Sequence, residues 1–187
     1  MKKSKLIVAL AAVMALGVAS VAIAAALVGT NGPDTINGTP GNDNIRGLSG
    51  EDRIRGLGGD DRIDGGSDDD TIRGDGSCPA SAPYCIEGSA GDDTIFGGRG
   101  KDIINGDSGE DHISGQGGND RLRGGAGDDR ISGGSGRDIV ESAGGNDTIR
   151  VKDRIRDRVN CGSGRDTVTA DRLDKIARNC ERVRRSR

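Results

Sequence analysis

Aliphatic and acidic residues recur along this chain with a period of nine. From Gly29 onward, each nine-residue stretch carries Asp at its sixth position and Ile, Leu or Val at its eighth, and Gly is favoured at the first and fourth. Thirteen copies follow this pattern: GTNGPDTIN, GTPGNDNIR, GLSGEDRIR, GLGGDDRID and GGSDDDTIR from residue 29, GSAGDDTIF, GGRGKDIIN, GDSGEDHIS, GQGGNDRLR, GGAGDDRIS, GGSGRDIVE and SAGGNDTIR from residue 88, and CGSGRDTVT from residue 161. A fixed period of this kind indicates a fold built from stacked repeats.

Two irregular stretches keep the phase of the repeat. Residues 74–87 fit one repeat with five extra residues if Ile86 occupies the eighth position. Residues 151–160 fit one repeat with a single insertion, with Asp157 and Val159 at positions six and eight. The pattern therefore predicts fifteen repeats in unbroken succession from residue 29 to residue 169.

The repeats match G-G-x-G-x-D-x-U-x, in which U is a large aliphatic residue, so the chain resembles the hemolysin-type (RTX) calcium-binding repeat proteins. The resemblance implies an all-β fold, a right-handed parallel β-roll (a β-solenoid) with Ca²⁺ in its turns. In that family six residues turn, three form a strand, and two repeats make one coil. We therefore expect about seven and a half coils, with each repeat stacked on the repeat two places further along the chain.

Stacking would bring the sixth-position carboxylates of adjacent coils about 4.8 Å apart, the spacing of neighbouring strands. Carboxylates at that distance repel unless a cation lies between them. Oxygen ligands from carboxylates and glycine-rich turns suit Ca²⁺, which accepts about six to eight oxygens in loose geometry. The predicted calcium ligands are Asp34, Asp43, Asp52, Asp61, Asp70, Asp93, Asp102, Asp111, Asp120, Asp129, Asp138 and Asp147. The alternative is a metal-free solenoid in which glycine and aspartate only form turns.

Each predicted ligand is expected to pair with the aspartate of the next coil. The expected pairs are Asp34 with Asp52, Asp43 with Asp61, Asp52 with Asp70, Asp70 with Asp93, Asp93 with Asp111, Asp102 with Asp120, Asp111 with Asp129, Asp120 with Asp138, Asp129 with Asp147 and, as weaker sites, Asp138 with Asp157 and Asp147 with Asp166. The inserted repeat has no matching aspartate. Sites between that repeat and Asp61 or Asp102 are therefore expected to be missing.

Composition and charge agree with a repeat fold that binds cations. The chain has 34 glycines, one Phe, one Tyr and no Trp, too few aromatic residues for an ordinary globular core. The formal net charge is -3, but residues 170–187 hold seven basic and three acidic residues, so the rest of the chain is more acidic. An acidic body favours cations and disfavours nucleic acid as a partner.

The two ends of the chain differ from the repeats. Residues 1–26 resemble an export signal, with a basic start, an apolar run from Leu6, and an A-x-A arrangement at residues 22–24 that predicts cleavage after Ala24 or Ala26. The alternative is an uncleaved membrane anchor, because the apolar run continues to Val28. We expect residues 27–169 to form the roll, with a loop insertion at 78–85, and residues 170–187 to form a C-terminal cap and basic tail.

Four cysteines in an exported chain are expected to form two disulfides, for which three pairings exist. Short spacing favours Cys78 with Cys85 and Cys161 with Cys180. The second disulfide would tie the cap to the roll.

Enzymatic activity is not expected. Residues 106–109 spell GDSG, the string around the nucleophile of trypsin-like serine proteases, but Ser108 and the lone His112 occupy the third and seventh positions of one repeat. A catalytic triad needs its nucleophile and base oriented together. The sequence instead predicts a secreted, monomeric calcium-binding protein that folds on binding several Ca²⁺ ions.

A calcium-dependent cell-surface interaction or adhesion module is the alternative function. Many arginines occupy positions seven and nine, where they should project from the sheets and protect their edges. Binding of a cell-envelope or extracellular anionic polymer is the alternative interpretation of these arginines.

Overall fold

The structure, a computed structural model, describes residues 5–8, 26–58, 61–74 and 85–185. These residues contain two parallel β-sheets and no helix. Sheet A consists of β1 (Lys5–Val8), β3 (Asp34–Asn37), β5 (Arg53–Arg55), β7 (Thr71–Arg73), β9 (Thr94–Arg99), β11 (His112–Gly117), β13 (Arg130–Ser132), β15 (Thr148–Val151), β17 (Thr167–Ala170) and β19 (Arg182–Arg185). Sheet B consists of β2 (Ala26–Val28), β4 (Asn44–Ser49), β6 (Arg62–Ser67), β8 (Ile86–Ala90), β10 (Ile103–Ser108), β12 (Arg121–Ala126), β14 (Ile139–Gly144), β16 (Arg158–Asn160) and β18 (Lys175–Ile176).

Consecutive strands from β2 onward lie in opposite sheets, and each pairs in parallel with the strand two places along the chain. The register follows the repeat, since Ile113 pairs with Ile95 on one side and Ile131 on the other. Two repeats therefore make one coil, and the chain forms a parallel β-solenoid of about eight turns. This confirms the predicted fold class and the predicted stacking.

The core is the row of eighth-position aliphatic side chains. Alternation along each strand turns this residue inward and exposes its two neighbours. All fifteen eighth-position side chains are buried, from Ile36 at 0% exposed to Val159 at 3%. The roll thus fills the space between its sheets with one aliphatic residue per repeat, which is why it needs no aromatic core.

Both irregular repeats stay in phase, as predicted. Ile86 pairs with Ile63 and Ile104, so the inserted repeat contributes a regular strand to sheet B. Val159 pairs with Val140 in the same way. Of the loop insertion at 78–85, only its last residue lies within the described part of the chain.

Several strands are longer than the three residues expected from the resemblance. Strand β4 has six residues because its ladder continues into the stacked turn, where Leu48 pairs with Gly66. The second position of the repeat adopts a left-handed backbone even without glycine, as at Gln116 with φ 70°. The fourth position is stricter, because Gly109 has φ 136° and a Cβ there would overlap the carbonyl of Gly91.

The segment expected to be a cap also extends the two sheets. Ile176 pairs with Val159 in sheet B, and Val183 pairs with Val168 in sheet A. A disulfide joins Cys161 to Cys180, with Cα atoms 5.3 Å apart, which confirms this predicted pairing. The other predicted pairing stays a prediction, since residue 78 lies outside the described residues.

At the N-terminus, β1 falls within the predicted export signal and pairs with β3, with Lys5 opposite Asp34. Residues 9–25 lie outside the described residues, so the signal and its cleavage stay predictions. No helix among the described residues is long and apolar enough to cross a membrane.

Candidate calcium sites between the coils

The sixth-position aspartates form two columns, one at the start of the strands of each sheet. Column A contains Asp34, Asp52, Asp70, Asp93, Asp111, Asp129, Asp147 and Asp166, and column B contains Asp43, Asp61, Asp102, Asp120, Asp138 and Asp157. None of these residues is more than 5% exposed. The carboxylates are therefore buried almost as completely as the aliphatic core, which is unusual for an acidic residue.

One oxygen of most of these carboxylates is held by the preceding coil. The backbone N–H of Asp93 donates a hydrogen bond to Oδ1 of Asp111, 2.9 Å away. The same bond, at 2.7–3.0 Å, joins Asp34 to Asp52, Asp43 to Asp61, Asp52 to Asp70, Asp70 to Asp93, Asp102 to Asp120, Asp111 to Asp129, Asp120 to Asp138, Asp129 to Asp147, Asp138 to Asp157 and Asp147 to Asp166. All the expected pairs are thus neighbours in the structure, and their role as metal ligands stays a prediction.

The second oxygen of most of these carboxylates is buried without a hydrogen-bond donor. This holds for Oδ2 of Asp52, Asp70, Asp93, Asp102, Asp111, Asp120, Asp129, Asp138, Asp147, Asp157 and Asp166. Leaving a buried polar atom unsatisfied costs about 1–3 kcal/mol, and more when the group is charged. A row of such atoms calls for a positively charged partner.

Glycine at the first position makes room for these oxygens. A Cβ on Gly106 would overlap Oδ2 of Asp111 and would lie 2.7 Å from the carbonyl oxygen of Gly124. A Cβ on Gly88 would likewise overlap Oδ2 of Asp93 and lie 2.8 Å from the Gly106 carbonyl oxygen. Carboxylate and carbonyl oxygens from adjacent coils therefore converge with no donor between them, and this all-oxygen donor set is the one that Ca²⁺ prefers.

Side chains alone do not complete a metal site. No group of three or more His, Cys, Asp or Glu side chains among the described residues is arranged to hold a metal ion. A cation between coils would therefore need backbone carbonyl oxygens in addition to carboxylates, and glycine-rich turns supply them.

Burial raises the pKa of several of these carboxyl groups, and for some of them, such as Asp93, the neighbouring aspartates of the column add to the effect. The pKa of Asp93 rises to about 8, mainly through burial and then through repulsion from Asp111 and Asp70, although the hydrogen bond from the Asp70 backbone lowers it. Burial also raises the pKa of Asp102 and Asp120 to about 7. A site that resists holding negative charge on its own favours either a proton or a cation.

Two acidic residues that the sequence reasoning missed extend the columns into the C-terminal segment. The backbone N–H of Asp157 donates to Oδ1 of Asp174 at 3.1 Å, and that of Asp166 donates to Oε2 of Glu181 at 2.8 Å. Their signal is an acid two residues before an aliphatic residue, as in Asp174 and Ile176. The altered spacing and the loss of glycine hid it.

The inserted repeat places Tyr84 at the sixth position, outside the described residues. The expected absence of sites beside Asp61 and Asp102 therefore stays a prediction. Ser108 and His112, weighed above as a catalytic pair, lie on strands of different sheets, β10 and β11. The Ser108 hydroxyl donates a hydrogen bond to the carbonyl oxygen of Ser89, 3.3 Å away.

The comparison with protein families gives one match. The model of the RTX calcium-binding nonapeptide repeat matches the chain in four copies, at residues 28–63, 46–77, 86–113 and 114–149. These matches together cover more than half of the chain. No curated protein matches it.

Proposed function

Because this chain belongs to the family of RTX calcium-binding nonapeptide repeats, we propose that it is exported and folds by binding several Ca²⁺ ions between its coils. The observation that carries the proposal is the row of buried Oδ2 atoms without donors. The family supports calcium as the ion. The chain is thus a calcium-binding repeat protein, and the coupling of calcium to folding is the part to be tested.

The aspartates of columns A and B would hold the ions, together with carbonyl oxygens of first-position residues. In most of these aspartates the hydrogen bond from the preceding coil fixes Oδ1 and leaves Oδ2 for the ion, as in Asp111 with the Asp93 N–H. First-position glycines keep the adjacent space clear, as Gly106 does beside Asp111. Bound Ca²⁺ would supply positive charge and accept the remaining oxygen ligands.

Calcium-dependent folding follows from the cost of stacking the coils. Each added coil buries one aliphatic side chain per strand, and it also buries a carboxylate beside the carboxylate of the preceding coil. Repulsion and desolvation oppose that step. We expect the chain to stay largely unfolded at low calcium and to fold at about 10⁻⁴ to 10⁻³ M, the range of extracellular calcium modules. It has no catalytic role in this proposal.

Circular dichroism during a calcium titration tests the proposal. The chain is first freed of metal with a chelator and then titrated with Ca²⁺ to about 10 mM, well above the expected range. β-structure should appear with Ca²⁺ but not with equal Mg²⁺, which prefers rigid octahedral sites. Native mass spectrometry would count the bound ions. An unchanged spectrum throughout, or full β-structure in chelator, would refute calcium-dependent folding.

A further inference from the structure

Five basic side chains gather on the outer face of sheet B near its C-terminal end. Arg121, Arg158 and Lys175 occupy the seventh position on β12, β16 and β18, and Arg137 and Arg156 precede β14 and β16 at the fifth position. All five are exposed. We call this set the basic groove.

The basic groove encloses two adjoining cavities. The first, of about 340 Å³, is lined by Arg137, Arg156, Arg158 and Lys175 together with Asp138 and Ile139. The second, of about 270 Å³, shares Ile139 and Arg158 with the first and is also lined by Arg121 and Glu141. Asp138 is fully buried, so cations dominate the open surface of the first cavity.

No ion pair within the described structure neutralises these cations. Between described residues the ion pair found is that of Arg62 with Glu87, at 3.9 Å, and no groove cation takes part in it. Arg158 lies directly opposite Lys175 in the strand register. Like charges directly opposite each other destabilise a sheet. The groove therefore carries an electrostatic cost that an anion from outside would remove.

The fifth position of the repeat differs in charge between the two sheets. The fifth-position residues beside sheet A are mainly acidic and comprise Glu51, Asp69, Asp92, Glu110 and Asp128. The carboxylates of Asp69, Asp92 and Asp128 are used within the roll, since each accepts a backbone N–H of the next coil, as Asp92 does from Glu110 at 2.7 Å. The two sheets thus differ in charge at the fifth position, although the outer face of sheet A also carries arginines such as Arg53, Arg55 and Arg130.

We propose that the basic groove binds a linear anionic polysaccharide that lies along the axis of the roll. Arg121 and Arg158 are two strands apart, about 10 Å, so cations repeat along the axis as acidic groups repeat along such a polymer. Guanidinium groups bind sulfate-like and carboxylate groups through paired hydrogen bonds. No aromatic side chain lines either cavity, which disfavours a nucleic acid whose bases would stack. Two rows of cations flanking a groove suit a chain better than a flat lipid surface.

The groove exists only when the coils are stacked, because its residues come from four strands of different coils. Polysaccharide binding that depends on calcium therefore rests on the function proposed above. Binding by the folded roll does not, because it depends only on the arrangement of the cations.

Binding of the full chain to immobilised dextran sulfate tests the inference, with uncharged dextran as the ligand control. The groove variant carries Arg137→Ser, Arg156→Ser and Arg158→Ser. The matched control carries Arg53→Ser, Arg55→Ser and Arg130→Ser, which removes the same charge from the outer face of sheet A. In calcium, the groove variant should bind at least about tenfold more weakly and the control should change little. Circular dichroism in the same buffer checks that both fold.

Four results would overturn the inference. The groove variant could bind as the parent chain does, or a tail variant with Arg182→Ser and Arg184→Ser could lose binding while the groove variant keeps it. Single-stranded DNA or anionic vesicles could also bind as tightly through the same residues. A roll that folds with calcium and binds no polymer would refute the groove and leave the proposed function intact. A roll that folds and binds polymer in chelator would refute calcium-dependent folding and leave the groove intact.

Discussion

Replacing Asp111 with Asn should stabilise the calcium-free roll and weaken its binding of calcium. Oδ1 of Asp111 accepts the Asp93 N–H, and an asparagine oxygen can keep that bond. Oδ2 has no donor and lies near the carbonyl oxygen of Gly124. The asparagine NH₂ group would occupy the place of Oδ2 and offer the carbonyl a donor in place of a negative charge.

The magnitude follows from the unsatisfied oxygen. Removing one buried, unpaired acceptor should stabilise the calcium-free roll by about 1–3 kcal/mol. The same change removes a charged ligand, and calcium sites are tuned over decades of affinity by their ligand charge. We therefore expect the midpoint of the calcium titration to rise about tenfold or more. The control is Asp92→Asn, which removes an exposed charge from the same side of the roll and should alter neither quantity much.

Two circular dichroism measurements separate the effects. In chelator, stability is measured as the concentration of trimethylamine oxide needed to fold the chain, since this osmolyte favours burial of surface. With calcium, the titration midpoint is compared among the parent chain, Asp111→Asn and Asp92→Asn. A loss of stability of equal size in both conditions would show that the Asp111 carboxylate is only structural and would refute the reasoning.

Three further outcomes are expected. Gly109→Ala should lower stability in calcium by at least about 2 kcal/mol in thermal unfolding, because its φ is 136° and a Cβ would overlap Gly91, whereas Gly32→Ala, with nothing within 4 Å, should not. Changing Cys161 and Cys180 to Ser should cost about 3 kcal/mol in urea unfolding with calcium, since the disulfide closes a separation of 19 residues, and an unchanged midpoint would contradict this. In the folded chain the carboxyl pKa values are raised, to about 8 at Asp93, above the unfolded value of about 3.9. The calcium-free roll should therefore be most stable below about pH 4 and lose stability as the pH rises to 8. Circular dichroism in metal-free buffer tests this, and β-structure that increases with pH would contradict the prediction.

The nine-residue pattern predicted most of the fold because two of its positions have separate structural roles. The eighth position, such as Ile113, has to be buried, which sets the strand and its face. The sixth position, such as Asp111, directly precedes a strand, which places its carboxylate in the column of aspartates. A strict period then fixes the register, since slipping by one residue would turn Ile113 outward. The phase of Ile86 and Val159 could be predicted for the same reason.

Other features could not be read from the repeat because they depend on contacts between coils. The hydrogen bond from the Asp93 N–H to Asp111 joins residues 18 positions apart, and the sequence contains no signal for it other than the repeat period. The left-handed second position was hidden because residues such as Gln116 occupy it as well as glycine. Asp174 was missed because its column continues after the glycines have ended.

The two aspartate columns differ in continuity, and this determines which contacts join the two halves of the roll. In column A the bond from the Asp70 N–H to Asp93 spans the inserted repeat at 2.7 Å, so the acidic column runs past the insertion without a gap. In column B the sequence of the inserted repeat has Tyr84 at the sixth position, so the repeat pattern predicts an interruption of the acidic column between Asp61 and Asp102. Because each coil of a solenoid contacts only its neighbours, such an interruption would weaken the two interfaces on either side of the inserted repeat and leave the others unchanged. Ile86, stacked between Ile63 and Ile104, keeps the aliphatic core continuous at the inserted repeat, so the core and column A together join the two halves of the roll.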